Sequence, residues 1–450
     1  MTTEKIIHGW GGFPRVTGAQ DQPATPEAVA ESLTRSGSAL AFGLGRSYGD
    51  AALPVASGLS INTTRLKRVL HFDAESGLLS AESGISFDAL LRFLVPKGWF
   101  LPVTPGTRFV TLGGAIAHDV HGKNHHVDGS FSRFVRSLDV LLASGEVATC
   151  SPAQDPALFY ATLAGVGLTG IILRATVQMR RIETAYIRQK ALRVRHLSEL
   201  MAQQHATDAP YAVAWVDCLA AENQLGRGHI LLGDHASVQD LPETYAQNPR
   251  TIHTEPWLKV PFHAPSFLLN NKTMTAFNTL YFQRLRKNES DSILHYAPYF
   301  YPLDAIGEWN KLYGNRGFVQ FQCVLPDATA TEGLTEILRR VRADGRASFL
   351  AVLKRFGNED IGYLSFPIPG WTLTMDFPMS ASLPRFLETL EDLVLHFGGR
   401  LYLAKDALMK PSSFRAMYPR FEEWLRVKTR VDPTWTFHSH LADRLMRDEL

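Results

Sequence analysis

A strand-like run at 38–45 (SALAFGLG) leads into Gly43, Leu44, Gly45, Arg46, Ser47, Tyr48, Gly49 and Asp50, and no helix can follow it. The next residues are AALPVASGLSINTT, where Pro54 and Gly58 break a helix and a second strand-like run begins at 59. A dinucleotide fingerprint of the GxGxxG type needs a helix directly after the glycines, because the helix N-terminus holds the pyrophosphate. The loop therefore joins strand to strand, and a Rossmann unit is excluded. Two readings stay open from the residues alone. The segment is a plain glycine-rich turn, or its successive N–H groups form an anion-binding nest in which glycine permits positive φ.

Two further glycine segments accompany it. Residues 105–126 carry the Pro105-Gly106-Thr107 turn, the Gly113-Gly114 pair, and His118, His121, His125 and His126 around Lys123 and Asn124. As a metal site the histidine spacing lacks an Asp/Glu/Cys set to complete it, and no HExxH occurs, so no metal is expected. A bland histidine cluster and a ligand-lining wall both remain; small residues admit a ligand and polar donors face it. The third segment, Gly165, Gly167 and Gly170, precedes a buried strand at 169–182.

The chain of 450 residues is too long for one ordinary core, so two or three domains are expected. A net charge of +2 gives no basic field for nucleic acid. Cys150, Cys218 and Cys323 are odd in number and far apart, which fits a reducing compartment. The N-terminal residues have no apolar h-region and no run of 18 apolar residues occurs, so a cytoplasmic location is expected, with peripheral contact to the inner membrane left open.

Periodicity predicts a helix at 26–37, strands at 59–66, 68–76 and 78–84, and a helix at 85–98. It then predicts two strands within 135–151 around a turn at 144–145, and a helix at 155–165. Short strands mixed with helices in this order argue for α+β rather than βαβ succession. Beyond 183, strands are predicted at 211–220, 228–234, 317–326, 348–357 and 370–378, and helices at 331–344 and 383–397. Residues 251–290 read as irregular, with Pro256, Pro261 and Pro265 and scattered aromatics. Residues 400–450 read as helical.

GLGRSYGD, the PGTR to HGKNHH segment, GLTGII, YPLD with EWN, LSFPIPGW, and GGRLY with AKD together resemble the decaprenylphosphoryl-β-D-ribose oxidase family. These are flavin subunits of a 2'-epimerase. The resemblance runs from Gly9-Trp10 to the C-terminal helix. It implies a two-domain vanillyl-alcohol-oxidase/PCMH-type FAD-binding fold, with an FAD-binding domain at 1–183 and an antiparallel-sheet substrate domain at 184–399. Residues 400–450 would return to the FAD-binding domain. Matched by motif, Gly43 through Asp50 contact the flavin diphosphate and ribityl. Gly106, Thr107, Thr111, Gly113, Gly114, His121, Gly122, Lys123, Asn124 and Gly167 line the rest, with Ile172 and Tyr402 closing it. Tyr48 stands where covalent relatives carry a histidine, so the FAD is expected to be non-covalent.

The resemblance makes Lys405, in the A-K-D motif, the group beside flavin and substrate. By itself Lys405 reads as a solvated surface lysine. In the motif it is a base if burial lowers its pKa, or an ammonium that anchors a phosphate or alkoxide. Tyr48 and His121 would orient the sugar. Lys123, Gln322 and Lys354 match substrate-pocket positions, although Gln322 alone also reads as an outward strand residue. The family's P-G-W-N-x-C is here Pro369-Gly370-Trp371-Thr372-Leu373-Thr374. Thr374 is close to Cys in volume and offers no nucleophile to thiol-directed inhibitors. Thr372 is shorter than Asn, so a substrate contact is expected to be missing. In Phe300-Tyr301-Pro302 the aromatic hydroxyl is displaced by one position.

The resemblance implies oxidation of the 2'-hydroxyl of a polyprenylphosphoryl ribose, with an NAD(P)H-dependent short-chain reductase as pathway partner. Another polyol, aldonolactone or glycoside is the alternative substrate. The stretch 257–287 mixes aromatics, leucines and basic residues, and reads either as a lid or as a membrane-docking loop.

Overall fold

The computed structural model describes residues 3–56, 58–256, 258–264, 271–285, 287–346, 348 and 350–447. Trp257 and Arg286, which belong to the aromatic and basic stretch, lie outside the described residues. The architecture is α+β. Among the described residues, three main sheets form. A four-stranded sheet has the order Thr3–His8, Arg15–Asp21, Leu59–Asn62, Ala39–Phe42. A five-stranded antiparallel sheet has the order Val69–Phe72, Leu78–Glu82, Ile171–Gln178, Val135–Leu141, Val147–Cys150. The third sheet has eight strands, all antiparallel: Glu289–His295, Tyr186–Val194, Gly228–His235, Tyr211–Val216, Ala351–Phe356, Gly370–Pro378, Phe318–Pro326 and Arg400–Leu401.

Local chemistry sets the element ends. Thr25 caps the helix Pro26–Thr34 by accepting from the Ala28 N–H, with Pro26 at the first helical position. Ser86 caps the helix Phe87–Leu94, whose Phe87, Leu90, Leu91 and Leu94 form one buried stripe. The glycine loop 43–58 leaves Ala39–Phe42 and returns as Leu59–Asn62, which pairs parallel to it, with no helix between.

Three segments differ from the periodicity reading. Residues 105–126 contain a helix, Leu112–Ala117, in which Thr111 accepts from the Gly114 N–H. Two glycines hid it, since glycine weakens a helix unless packing holds it. Tyr186–Val194 is a strand of mixed polar character, placed by partners on both edges. Asn271–Gln283 is a helix inside the stretch read as irregular; the prolines at 256, 261 and 265 all precede it.

Residues 400–447 close on the glycine segments. The Ala39 N–H donates to the Thr436 carbonyl at 2.8 Å, which covers the open edge of Ala39–Phe42. Trp424 donates to the Ala161 carbonyl and buried Lys428 donates to the Leu168 carbonyl at 2.7 Å. Arg444 makes a bidentate pair with Asp50, 2.9 Å on each arm, and also reaches Asp406 at 2.8 Å. It thereby ties the 43–50 loop to the 402–406 turn.

Arg444→Met leaves the buried Asp50 carboxylate without its ion pair and removes one partner of Asp406. The expected cost is about 3 to 5 kcal/mol. Urea unfolding checks it, and a wild-type midpoint would mean that the bridge contributes nothing.

Candidate active site

A cavity of about 400 Å³ opens between the three glycine segments and the eight-stranded sheet. Gly43, Leu44, Gly45, Arg46, Ser47 and Tyr48 line one side. Gly106, Thr107, Thr111, Gly113, Gly114, His121, Gly122 and Lys123 line the next, and Gly167 and Ile172 a third. Tyr402, Lys405, Gln322, Lys354 and Thr374 complete the wall. The glycines are sterically required in places. A Cβ on Gly43 would lie 2.5 Å from Thr111 Oγ1, and one on Gly113 would lie 2.9 Å from Ser83 Cβ. Val166, beside Gly167, is held at φ 47°, a strained backbone of the kind that gathers at ligand sites.

Four residues matched by motif stand outside this lining. A Cβ on Gly49 would meet the Asp406 carbonyl at 1.6 Å, so this glycine lets two chain segments touch. Asp50 is engaged by Arg444. Asn124 is buried and donates to the Pro102 carbonyl and to Asp128. Thr372 is fully buried behind Gln322 and accepts from its amide at 3.1 Å. The hydroxyl of Tyr301 turns away to Thr104 at 2.7 Å, and Phe300 lines the cavity instead.

The Tyr48 N–H donates to the Ala404 carbonyl at 2.9 Å, which sets Lys405 above the Tyr48 ring, Nζ 3.7 Å from its centroid. Burial lowers the Lys405 ammonium to about 7; Asp376 pulls it up and Lys354 pushes it further down. Burial also drives the Tyr48 phenol well above its ordinary value, so it stays a neutral hydroxyl.

His121 lies between two groups. Lys354 Nζ is 2.9 Å from Nδ1, and the Gln322 amide nitrogen is 2.9 Å from Nε2. Burial, with Lys354 beside it, holds the imidazole well below its ordinary pKa and therefore neutral. Burial lowers Lys123 and Lys354 to about 7 as well. Lys123 donates to the Tyr299 carbonyl and sits over that ring. The other histidines separate: His125 pairs with Asp360 at 2.7 Å, and His126 faces the Ala209 carbonyl. Among the described residues no His/Cys/Asp/Glu group is placed to hold a metal.

Sequence reasoning passed over Gln320 and Asp376. Gln320 lines the cavity two residues before Gln322, and Asp376 lies two residues after Thr374. Period-two spacing puts each pair on one face of its strand, and the register sets Gln320 opposite Asp376 and Gln322 opposite Thr374. A polar residue at every second position of a buried strand was the available signal. An apolar region lined by Trp215, Leu231, Tyr281, Leu350 and Val352 was not visible in sequence, because four separate elements build it.

The cavity suits a large polar ligand. Ser83 Oγ, His118 Nδ1 and Arg46 Nε are buried without a hydrogen-bond partner among the described residues, and all three residues line it. Buried polar atoms are rarely left so. Arg46 also stacks on Trp10, 3.7 Å from its ring centroid.

Comparison with known proteins agrees with this chemistry. Residues 19–151 match the FAD binding domain family, and residues 328–445 match the D-arabinono-1,4-lactone oxidase family. The chain is 40% identical to decaprenylphosphoryl-beta-D-ribose oxidase of Mycolicibacterium smegmatis, over 99% of this chain and 98% of that protein. It is 22% identical to L-gulono-1,4-lactone dehydrogenase of Mycobacterium tuberculosis, over 93% of each. It is 30% identical to D-arabinono-1,4-lactone oxidase of Yarrowia lipolytica, over 39% of this chain and 35% of that one. The chain is an FAD-dependent oxidoreductase with a PCMH-type flavin domain, and it belongs to the decaprenylphosphoryl-β-D-ribose oxidase family.

Proposed function

We propose that the chain oxidises the 2'-hydroxyl of a polyprenylphosphoryl-β-D-ribose to the 2'-keto sugar, the first half of an epimerisation. One observation carries the reading: a half-buried lysine of lowered pKa lies on a neutral tyrosine ring, inside a cavity that also has an apolar region. Bound FAD supplies the hydride acceptor. In this reading Gly43 to Ser47, Gly106, Thr107, Thr111, Gly113, Gly114 and Gly122 hold it, and Gly167, Ile172 and Tyr402 close around it. With a phenol at position 48, that position makes no histidyl link to the flavin.

Lys405 Nζ takes the hydroxyl proton as the C–H bond breaks. A neutral amine can do so near pH 7 because burial has removed much of the ammonium's solvation. The Tyr48 ring then stabilises the ammonium that forms, an attraction worth about 2 kcal/mol when desolvated. His121, kept neutral, and Gln322 orient sugar hydroxyls. Lys123 and Lys354 hold phosphate or hydroxyl oxygens. Thr374 shapes the wall without a thiol, and Thr372 acts on the substrate only through Gln322.

The apolar region is consistent with a lipid-linked substrate. Trp215 meets Tyr281 at 4.7 Å, and Tyr281 stacks on Phe277 at 5.9 Å, so an aromatic path leads from the cavity to the surface. Phe277 and Leu280 are exposed on the helix Asn271–Gln283, and Phe262 is exposed beside it in sequence. Such a surface suits docking on a bilayer, from which the substrate would be drawn. No helix of the described residues is long and apolar enough to cross a membrane. A separate nicotinamide-dependent short-chain reductase would return hydride to the opposite face of the keto sugar. The aldonolactone-oxidising relatives, with Thr372 and Thr374, keep a soluble polyol or lactone as the second reading.

Anaerobic titration separates the two. Bleaching of the flavin absorbance by a short-chain polyprenylphosphoryl-β-D-ribose is expected; bleaching by free polyols or lactones alone would favour the second. Lys405→Met should keep its flavin and lose bleaching by at least about a hundredfold. Wild-type bleaching in that variant would remove Lys405 from the chemistry. Flotation with anionic liposomes is expected to fall when Arg284, Arg286 and Lys287 are neutralised together, and unchanged flotation would remove the docking role of this stretch.

A further inference from the structure

Asp376 is fully buried in the strand Gly370–Pro378, directly across from Gln320. The Tyr313 hydroxyl donates to one carboxylate oxygen at 3.0 Å, and the Gln320 amide donates to the other at 2.6 Å. The backbone N–H of Asp376 donates to Ser348 Oγ at 3.1 Å, which fixes the strand at this point. Gln320 lines the same cavity wall as Tyr48 and Lys405, and the Tyr48 ring carries Lys405 on its face.

Such a carboxylate is expensive to hide, and replacing it with an apolar residue would cost the fold less than keeping it. Its two side-chain donors satisfy hydrogen-bonding capacity, but they do not neutralise its charge. Burial lifts its pKa to about 7, and Lys405 pulls it back down; Asp376 in turn raises Lys405. Other groups facing Lys405 work differently. Lys354, from the strand Ala351–Phe356, disfavours its charge. His118, at the end of the helix Leu112–Ala117, and His121 are both held neutral by burial. Tyr48 and Tyr402 are held as neutral phenols. The neighbouring Asp406 is committed to Arg444.

We propose that Asp376 is the positioning residue for Lys405: through its field, and through the Gln320 amide it holds in the cavity wall, it stabilises the ammonium formed when Lys405 takes the proton of the substrate hydroxyl. The proposal rests on Lys405 acting as the base. The balance is that of an alcohol oxidation: the C–H electron pair leaves as hydride to FAD, the C=O bond forms, and the O–H proton ends on Lys405 Nζ. Asp376 acts in its carboxylate form and takes no proton from the substrate. It raises the proton affinity of the amine, much as a carboxylate behind a catalytic imidazole does.

The sign of the pH effect follows. The rate rises with pH as Lys405 loses its proton, and the carboxylate holds that midpoint up. Asp376→Asn keeps the shape but removes the charge; its amide nitrogen only donates, so the Tyr313 hydroxyl or the Gln320 amide must turn to accept from it. Purified Asp376→Asn holoenzyme, reduced anaerobically by a short-chain polyprenylphosphoryl-β-D-ribose across a pH series, should retain its flavin spectrum and show its acid-limb midpoint moved to lower pH. The expected shift is about one to three pH units. The plateau rate should fall, since a weaker base takes the proton less readily. Tyr313→Phe removes one donor without touching the cavity wall; it makes the carboxylate harder to ionise, so the midpoint should move the same way by less. If Asp376→Asn does not fold, Tyr313→Phe decides. An unmoved midpoint in a folded, yellow variant overturns the proposal. If Lys405→Met itself keeps the wild-type acid limb, the reading of Lys405 as base falls, and this one with it.

Discussion

Gly49 approaches the Asp406 carbonyl so closely that no side chain fits between them, and the rest of the site depends on that contact. The hydrogen bond from the Tyr48 N–H to the Ala404 carbonyl lies on one side of it, and Arg444 bridging Asp50 and Asp406 lies on the other. These contacts join a loop near the N-terminus to a turn near the C-terminus. Lys405 is thereby held over the ring of Tyr48. A lysine tethered only by its own flexible stem would not stay there, since its side-chain entropy favours solvent.

Burial then does what position alone cannot. Three lysines around one cavity, Lys123, Lys354 and Lys405, are each brought to about 7, and desolvation is the main cause for all three. They differ in their partners. Lys123 is spent on a backbone carbonyl and Lys354 on His121, while Lys405 has an aromatic face and a buried carboxylate within its electrostatic reach. In the proposed function, that difference makes the first two anchors and the third the proton acceptor.

Much of this was legible in the chain. The absence of a helix after Gly49 ruled out a nucleotide fold of the Rossmann kind, and the structure returns the loop to a parallel neighbouring strand. Strands with clean alternation and helices with capped ends were visible; the helix Leu112–Ala117 was not, because Gly113 and Gly114 argue against helix until tertiary packing holds them. The motif-matched residues divide along a physical line. Tyr48, His121, Lys354 and Lys405 line the cavity, whereas Gly49, Asp50, Asn124 and Thr372 support it from behind. A motif records both kinds of residue alike, since a supporting contact is as specific in sequence as a lining one. Asp376 escaped notice because its partners lie on other segments: strand register sets Gln320 opposite it, and tertiary packing brings the Tyr313 hydroxyl to it.

The pH dependence of anaerobic flavin reduction in the wild-type protein tests the central claim most directly, that a desolvated Lys405 held against Tyr48 is the proton acceptor. With a short-chain polyprenylphosphoryl-β-D-ribose, the reduction rate should rise with pH near 7, far below an ordinary lysine. A rate that stays flat across the neutral range, or rises only near the ordinary lysine value, would contradict it.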